Sequence, residues 1–390
     1  MAGYRIVHCL RAPVGGLFRH VRDLSREQTR RGHAVGIVCD ADSSDPLTDV
    51  LLRDLDGDLE LGVTRLSMPR EPGFGDIAAT LATRRHAFAM QADILHGHGA
   101  KGGVYARLAA EWMRRRGRTA VSIYTPHGGS LHYHPKSLKG RVFMTAERIL
   151  ARKTGGMLFE SAFAARTFER NVGKPGCPVR VVHNGLRPEE LRAIEPDCQA
   201  GDFVFVGELR MLKGVDVLIE ATAILSAERP CRVTIVGAGA DGVRFRDDVR
   251  NRGLEASISF AGALPAHDAF KLGRALVMPS RAESLPYVAL EAAGAGLPLI
   301  ASDVGGVSEI VDGTDTPLVP PGDPIALANA MRHMLEDAGE ARSRASRLKL
   351  AVASRFTVAR MTDDVLGCYS EAEAHRLQER PAPSGARQPA

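Results

Sequence analysis

The stretch Ala275-Leu-Val-Met-Pro-Ser-Arg-Ala-Glu-Ser-Leu-Pro-Tyr-Val-Ala-Leu-Glu291 joins a strand-type apolar run, residues 275–279, to a residue suited to the first turn of a helix, Pro286. Proline fits there because its missing N–H would have no helical partner in any case. Glu283 then sits in the loop and Glu291 in the helix. The five residues from Pro286 to Glu291 correspond to about 7.5 Å of helix rise, so the two carboxylates can hold different parts of one ligand. Glu291 is flanked by Val288, Ala289, Leu290, Ala292 and Ala293, and a carboxylate buried among such neighbours needs a partner. The plain alternative is that Glu283 only complements the helix dipole while Glu291 pairs with a lysine or arginine. It accounts for the first acid better than for the second, which lies past the first turn.

Similar strand-to-helix joins recur along the chain. Tyr4–Leu10 and Ala34–Cys39 read as strands on either side of a helical run, Leu17–Arg31, and this βαβ beginning makes the sheet parallel. Further strands are expected at Ile94–His96, Ala120–Tyr124, Gly156–Phe159 and Val179–Val182. Asn184-Gly-Leu-Arg-Pro188 and Ile194–Gly201 read as a linker. A second βα series follows, with strands at Phe203–Val206, Arg232–Val236 and Ile258–Phe260 and helices at Val215–Ser226, Val243–Arg250 and Ala266–Leu272. The expected class is α/β, two doubly wound domains at residues 1–187 and 188–355. Ligands of such sheets bind beyond the carboxyl ends of the strands, so the two edges are expected to face a central cleft. Residues 356–380 are expected to form a C-terminal helix and residues 381–390 a disordered tail.

At 390 residues the chain has room for two full cores. No stretch approaches the ~18 apolar residues of a membrane span, and the start lacks a cleavage-site pattern, so a cytoplasmic protein is expected. Six cysteines (Cys9, Cys39, Cys177, Cys198, Cys231 and Cys368) show no C-x-x-C and no Cys/His spacing of a zinc site, and read as free thiols. Charge is uneven: residues 1–187 hold 29 Lys and Arg against 17 Asp and Glu, and residues 188–390 hold 22 against 29. Arg114-Arg-Arg-Gly-Arg118 and a second expected helix bearing Lys136, Lys139, Arg141, Arg148, Arg152 and Lys153 carry much of the excess. Such a surface attracts anionic lipid at the inner membrane face or a phosphorylated acceptor; a solvated face without a partner is the alternative. No nucleic acid partner is expected, because aromatics for base stacking are few and no binding motif is present.

Val206-Gly-Glu-Leu-Arg-Met-Leu-Lys-Gly214 places Arg210 and Lys213 between a strand's carboxyl end and a helix N-terminus, a good arrangement for phosphate. Gly15 and Gly16 occupy the equivalent loop of the first domain, where backbone N–H groups can approach an anion; the alternative is that they are turn residues only. Val236-Gly-Ala-Gly-Ala-Asp-Gly242 satisfies G-x-G-x-x-G but follows the second strand of its domain with no acid ending the next one, and reads as a glycine turn with a nucleotide contact at most. Asp40-Ala-Asp42 and Asp56-Gly-Asp58 are spaced to hold a divalent cation, yet lie in an acidic loop region where solvated turns produce such pairs. His127, in Tyr124-Thr-Pro-His-Gly-Gly129, sits on a tight turn where it can hydrogen-bond a sugar hydroxyl or stabilise charge. His96 and His98 suggest a metal pair, but with no third ligand in view they read as capping or core residues.

Taken together, these residues resemble the retaining glycosyltransferases of family 4, which have the GT-B fold, and the resemblance covers nearly the whole chain. Its carriers are Gly15-Gly16 with His20-Val21 and Arg31-Gly-His33, then Asp93 to Gly99, His127-Gly128, His183-Asn-Gly185, Gly207 to Gly214 and Gly305 to Val311. The most specific is the E-x7-E signature, Glu283 to Glu291. The resemblance implies that Glu291 binds the nucleotide ribose, Glu283 the transferred sugar, Lys213 the diphosphate and His127 a sugar hydroxyl near the reacting carbon, with Ser284 and Leu285 adding donor contacts. It also implies that a last helix, matching Phe356–Glu373, crosses back onto the first domain. Two departures stand out: Glu208 where the family usually has arginine, with Arg210 two residues on, and Ser284-Leu285-Pro286 where glycines are common.

The expected activity is transfer of a sugar from a UDP- or GDP-sugar to a saccharide or lipid-linked acceptor, with retention, no metal or other cofactor, and catalytic roles for His127, Lys213 and Glu283. Fixed donors facing a leaving diphosphate are worth ~10²–10³ each in rate, and Lys213, Arg210, the Gly15–Gly16 amides and the helix starting near Pro286 are of that kind. A sugar-nucleotide epimerase, a phosphorylase of the same fold, and a noncatalytic sugar-nucleotide-binding protein remain open alternatives.

Overall fold

The inner strands are buried on both faces, whereas the edge strands are only partly covered. In the computed structural model, which describes residues 3–43, 46–128 and 137–378, they form two separate parallel sheets. The expected tail, together with Gly129 and Lys136, lies outside the described residues. The first sheet contains β1 Arg5–Leu10, β2 Ala34–Asp40, β3 Val63–Leu66, β4 Ile94–His98, β5 Val121–Thr125, β6 Gly156–Phe159 and β7 Val179–Val181, ordered β3-β2-β1-β4-β5-β6-β7. The second contains β8 Phe203–Val206, β9 Val233–Val236, β10 Ile258–Gly262, β11 Leu276–Met278, β12 Leu299–Ser302 and β13 Leu318–Val319, ordered β10-β9-β8-β11-β12-β13. Period-two alternation sends Phe203 and Phe205 into one core and Val204 and Val206 against the other. In β1, Ile6 and Leu10 likewise part from Val7 and Cys9.

The chain divides into residues 1–183 with 358–390, and residues 184–357. The first division falls at the start of the expected linker, four residues before the expected boundary at 187/188, because Asn184 already belongs to the second unit: its side-chain amide donates to the Leu285 carbonyl at 2.8 Å. Phe356 also stays there, since Leu186 N–H donates to its carbonyl at 2.9 Å and its ring packs with Leu348 and Val352. The last helix is thus Val358–Gln378, beginning later than the expected Phe356. Its buried stripe, Val358, Met361, Val365, Cys368, Tyr369 and Ala372, recurs every three or four residues and joins the core of the first unit.

Two expectations fail locally. Residues 46–58, read as acidic loop, form the helix Pro46–Asp58, because Leu52 and Leu55 recur at helical spacing and are buried under its polar face. The linker is also more structured than expected, holding a short 3₁₀ turn, Pro188–Leu191, closed by Glu190 on the Arg187 N–H at 2.8 Å.

Candidate active site

In both sheets chain order reverses at one place: between β8 and β11 in the second, between β1 and β4 in the first. At such a point neighbouring crossovers lie on opposite faces, and the gap outside the carboxyl ends of the two strands accepts a ligand. Lys213 follows β8 and Glu283 follows β11. The structure brings them together: Lys213 Nζ donates to Glu283 Oε1 at 2.7 Å, and Ser280 Oγ donates to the same oxygen at 2.7 Å. Glu283 is nearly buried and Lys213 is partly exposed. A carboxylate held this way is oriented before any ligand arrives.

Backbone contacts hold both loops. Gly214, at φ +70°, allows the loop after β8 to lie on the end of β11; a Cβ there would stand 1.9 Å from the Pro279 carbonyl oxygen. Gly305, at φ +61°, does the same below the acid, where a Cβ would meet the Glu283 carbonyl oxygen at 1.8 Å, and Gly306 N–H donates to the Ser284 carbonyl at 2.7 Å. Arg281 ties the loops across, with paired bonds of 2.7 and 2.6 Å to Asp216 and one of 2.6 Å to the Met211 carbonyl. Burial works to raise the Asp216 carboxyl, but the Arg281 hydrogen bonds hold it below the ordinary aspartate value.

Glu291 lies one turn into the helix Tyr287–Gly294, which Pro286 precedes as its cap instead of entering as a first-turn residue. The carbonyls of Ser284 and Leu285 are occupied, by Gly306 and Asn184, and do not face a ligand unpaired. Arg210 turns to Glu208, at 3.3 Å, with both side chains about half exposed. Such surface pairs contribute little, so the guanidinium is free to re-pair. The G-x-G-x-x-G turn braces the loop that carries Lys213. Within it Leu209 N–H donates to the Ala238 carbonyl at 2.9 Å, Asp241 N–H to the Leu209 carbonyl at 3.0 Å, and Met211 N–H to Asp241 Oδ2 at 2.8 Å.

In the first unit Gly15 and Gly16 are exposed and open the helix Gly15–Arg30, whose cap residue Val14 supplies no side-chain acceptor. The cap side chain therefore leaves the first N–H groups of that exposed helix start unoccupied, as an anion site would need. His127 is half-buried at φ +49°, an uncommon conformation for a residue other than glycine, just past the end of β5. Its Nε2 lies 3.0 Å from His98 Nδ1, and His98 Nε2 lies 2.9 Å from His8 Nδ1. The third imidazole missing from the sequence reading is thus His8, which stands beside His96 in the register of β1 and β4. His8, His96 and His98 offer ring nitrogens within 4.8 Å of one another, as do His20, His98 and His127. The paired aspartates gather differently: Asp40 accepts from Met68 N–H at 2.7 Å, Asp56 from Val63 N–H at 2.7 Å, and Asp58 pairs with Arg26 at 3.1 Å.

The comparisons with known proteins meet this geometry. Residues 14–190 match the family model described as Glycosyltransferase Family 4, and residues 200–337 the model described as Glycosyl transferases group 1. The chain is a family 4-like glycosyltransferase. Glycogen synthase of Mycobacterium tuberculosis is 26% identical, over 94% of this chain and 94% of that one. D-inositol 3-phosphate glycosyltransferase of Stackebrandtia nassauensis is 34% identical over 55% of this chain and 52% of that one. Among solved structures, HepE of Anabaena in complex with UDP has a TM-score of 0.76 at 19% identity, covering 94% of this chain and 99% of the other. Sucrose-phosphate synthase of Thermosynechococcus elongatus has a TM-score of 0.78 at 20% identity, covering 95% and 99%. At these identities the likeness is one of fold, and the fold is GT-B.

In this glycosyltransferase the expected residues fall into a group in the second unit (Lys213, Glu283, Ser284, Leu285, Glu291, with Arg210 at its margin) and one in the first (Gly15, Gly16, His127). Sequence reasoning missed Ser280, the Arg281–Asp216 tie and His8. Only His8 left a usable signal, a histidine near the end of a strand that βα topology sets beside β4.

Proposed function

We propose that this glycosyltransferase moves a sugar from a UDP- or GDP-sugar to a saccharide or lipid-linked acceptor, with retention of configuration and without a metal. The observation that carries the reading is the Lys213–Glu283–Ser280 cluster at the switch point of the second sheet. A diphosphate entering beside Lys213 takes over its charge, which frees Glu283 to accept hydroxyls of the sugar. Glu291 binds the ribose, and Arg210 leaves Glu208 for phosphate. HepE of Anabaena has been solved with UDP-glucose, which favours the uridine donor over the guanosine one. The C1–O bond to the diphosphate breaks while Lys213 stabilises the negative charge that develops. The acceptor oxygen forms its bond to C1 from the same face, and its proton passes to the departing phosphate oxygen, so no side chain acts as base.

For the acceptor, the helix Leu138–Ala151 supports a lipid surface. Leu138, Val142 and Ile149 are 80%, 61% and 56% exposed along one stripe, flanked by exposed Lys139, Arg141, Arg148 and Arg152, the composition of a helix lying in an anionic interface. A neighbouring cavity of about 240 Å³ is lined by Arg114, Arg148, Arg152, Lys153, Lys174 and Arg376. Among the described residues no helix is long and apolar enough to cross a membrane. The reading places the enzyme on the inner membrane face in surface polysaccharide or glycolipid synthesis.

The test is incubation with UDP-, GDP- and ADP-sugars in EDTA, following nucleotide release and the anomer formed. Metal-independent release from one donor class with retention is expected. Donor turnover to a different sugar without release would indicate an epimerase, and turnover requiring free phosphate a phosphorylase.

A further inference from the structure

Three histidines of the first unit are strung on one hydrogen-bonded line. Gln28 Oε1 lies 2.8 Å from His8 Nε2, His8 Nδ1 lies 2.9 Å from His98 Nε2, and His98 Nδ1 lies 3.0 Å from His127 Nε2. A bond between two imidazoles holds one proton, so along such a line every proton must be given in the same direction. The direction is set at the Gln28 end. Its amide lies between His8 and the Tyr369 hydroxyl, and that hydroxyl is 2.7 Å from His96 Nδ1 but 3.3 Å from the Gln28 amide nitrogen. Hydroxyl donors make the shorter bonds, so Tyr369 gives its proton to His96 and accepts the Gln28 N–H. His96 passes its own Nε2 proton to Thr125 Oγ1 at 2.8 Å. The Gln28 oxygen therefore faces His8, and an amide oxygen only accepts.

We propose that Tyr369, Gln28, His8 and His98 are positioning residues that hold His127 as its Nε2–H tautomer, leaving Nδ1 as a lone pair that accepts a hydrogen bond and never donates one. Burial supports the neutral state along the line, lowering His8 to about 4 and His127 to about 3, with His98 well below its ordinary value. A charged ring inside the line would set N–H against N–H. Among the described residues His98 has both nitrogens engaged and His127 has one left, so the free end of the line is at the turn that closes β5. The partner it selects is a hydrogen-bond donor, a sugar hydroxyl, and this clause rests on the reading that His127 faces the transferred sugar. The last helix, through Tyr369, thereby determines which group of the sugar His127 recognises.

The experiment is two-bond proton–nitrogen NMR on ligand-free protein labelled in histidine, which separates protonated from bare ring nitrogens. His127 is expected to show a protonated Nε2 and a bare Nδ1 throughout pH 6–8; an Nδ1–H form, or a mixture, overturns the assignment. Gln28→Met removes the acceptor that fixes the line, and the His127 signal is expected to become a mixture; a pure Nε2–H signal in the folded variant overturns the role of Gln28. Should Gln28→Met not fold, Gln28→Glu keeps an oxygen toward His8 and is expected to retain the Nε2–H form, and its loss counts against the line. No ligand enters these measurements, so they decide the tautomer even where no sugar nucleotide binds. A second arm uses donors with fluorine in place of single hydroxyls. Fluorine cannot donate, so one such analogue is expected to bind at least tenfold more weakly than its parent, a difference that His127→Ala erases; full binding of every fluoro analogue overturns the acceptor-only role.

Discussion

Lys213→Ala removes one end of a 2.7 Å contact and Glu283→Gln removes the charge at the other, and each is expected to lower kcat by ~10²–10³. The double variant is expected to lose much less than the product of the two, because both residues hold one ligand and one another; steady-state nucleotide release from the four proteins measures this. Full multiplication of the effects would mean that the residues act independently. Arg281→Ala removes a paired bond to Asp216 and is expected to weaken donor binding tenfold or more with a smaller change in kcat, since it touches the loops and no reacting atom. At this scale the charged residues were legible because strand ends and helix starts announce themselves locally. Their partners were not. Asp216 lies 65 residues from Arg281, and only the closure of β8 onto β11 brings the two together, a fact of tertiary packing that no window of sequence contains.

At the scale of elements, Gly305→Ala puts a Cβ 1.8 Å from the Glu283 carbonyl at a positive φ. The left-handed conformation alone costs about 1–2 kcal/mol, and relief of the clash must displace Glu283. The variant is expected to unfold at lower temperature and to lose the thermal stabilisation that a donor gives wild-type protein; calorimetry with and without donor reads both. Stabilisation equal to that of wild type would mean that the loop after β11 does not hold the ligand. Strands β6 and β8 were legible to the residue because apolar runs bounded by polar or glycine positions define them. The edge strand β3 was not, since Val63–Leu66 is only partly buried and carries an exposed arginine. Helix Pro46–Asp58 was hidden by aspartates, which dominate composition while Leu52 and Leu55 decide the fold. Histidine packing across β1, β4 and β5 also depended on strand order, which alternation alone does not give. On the surface, Leu138→Asp with Val142→Asp is expected to abolish cosedimentation with phosphatidylglycerol vesicles and leave soluble donor hydrolysis unchanged; undiminished vesicle binding would remove the helix Leu138–Ala151 from the membrane reading.

For the whole molecule, the buried histidines couple stability to pH. The unfolded chain takes up protons on these rings near pH 6.5, whereas folded His8 does so only at about 4 and His127 at about 3. Below pH 6.5 the unfolded state therefore binds more protons, and stability falls with pH by up to about 1.4 kcal/mol per unit for each ring. Carboxylates held low by ion pairs, Glu27, Asp76 and Glu111 among them, withdraw their contribution only at lower pH. Urea unfolding is expected to show a constant midpoint from pH 8 to 7 and a decline between about 6.5 and 4.5; a flat midpoint across that window would mean that the rings are solvated. Two sheets, each reversing order once, were foreseeable from the βα alternation, and the family 4 resemblance named their fold. The measurement that bears most directly on the function is nucleotide release from α-linked UDP- and GDP-sugars in EDTA, wild type beside Lys213→Ala, with the anomer of the sugar product followed by NMR. Release from one donor, first as the α-anomer and nearly absent in the variant, is the expected result. No release and no stabilisation with any sugar nucleotide, or a product formed first as the β-anomer, would contradict the account.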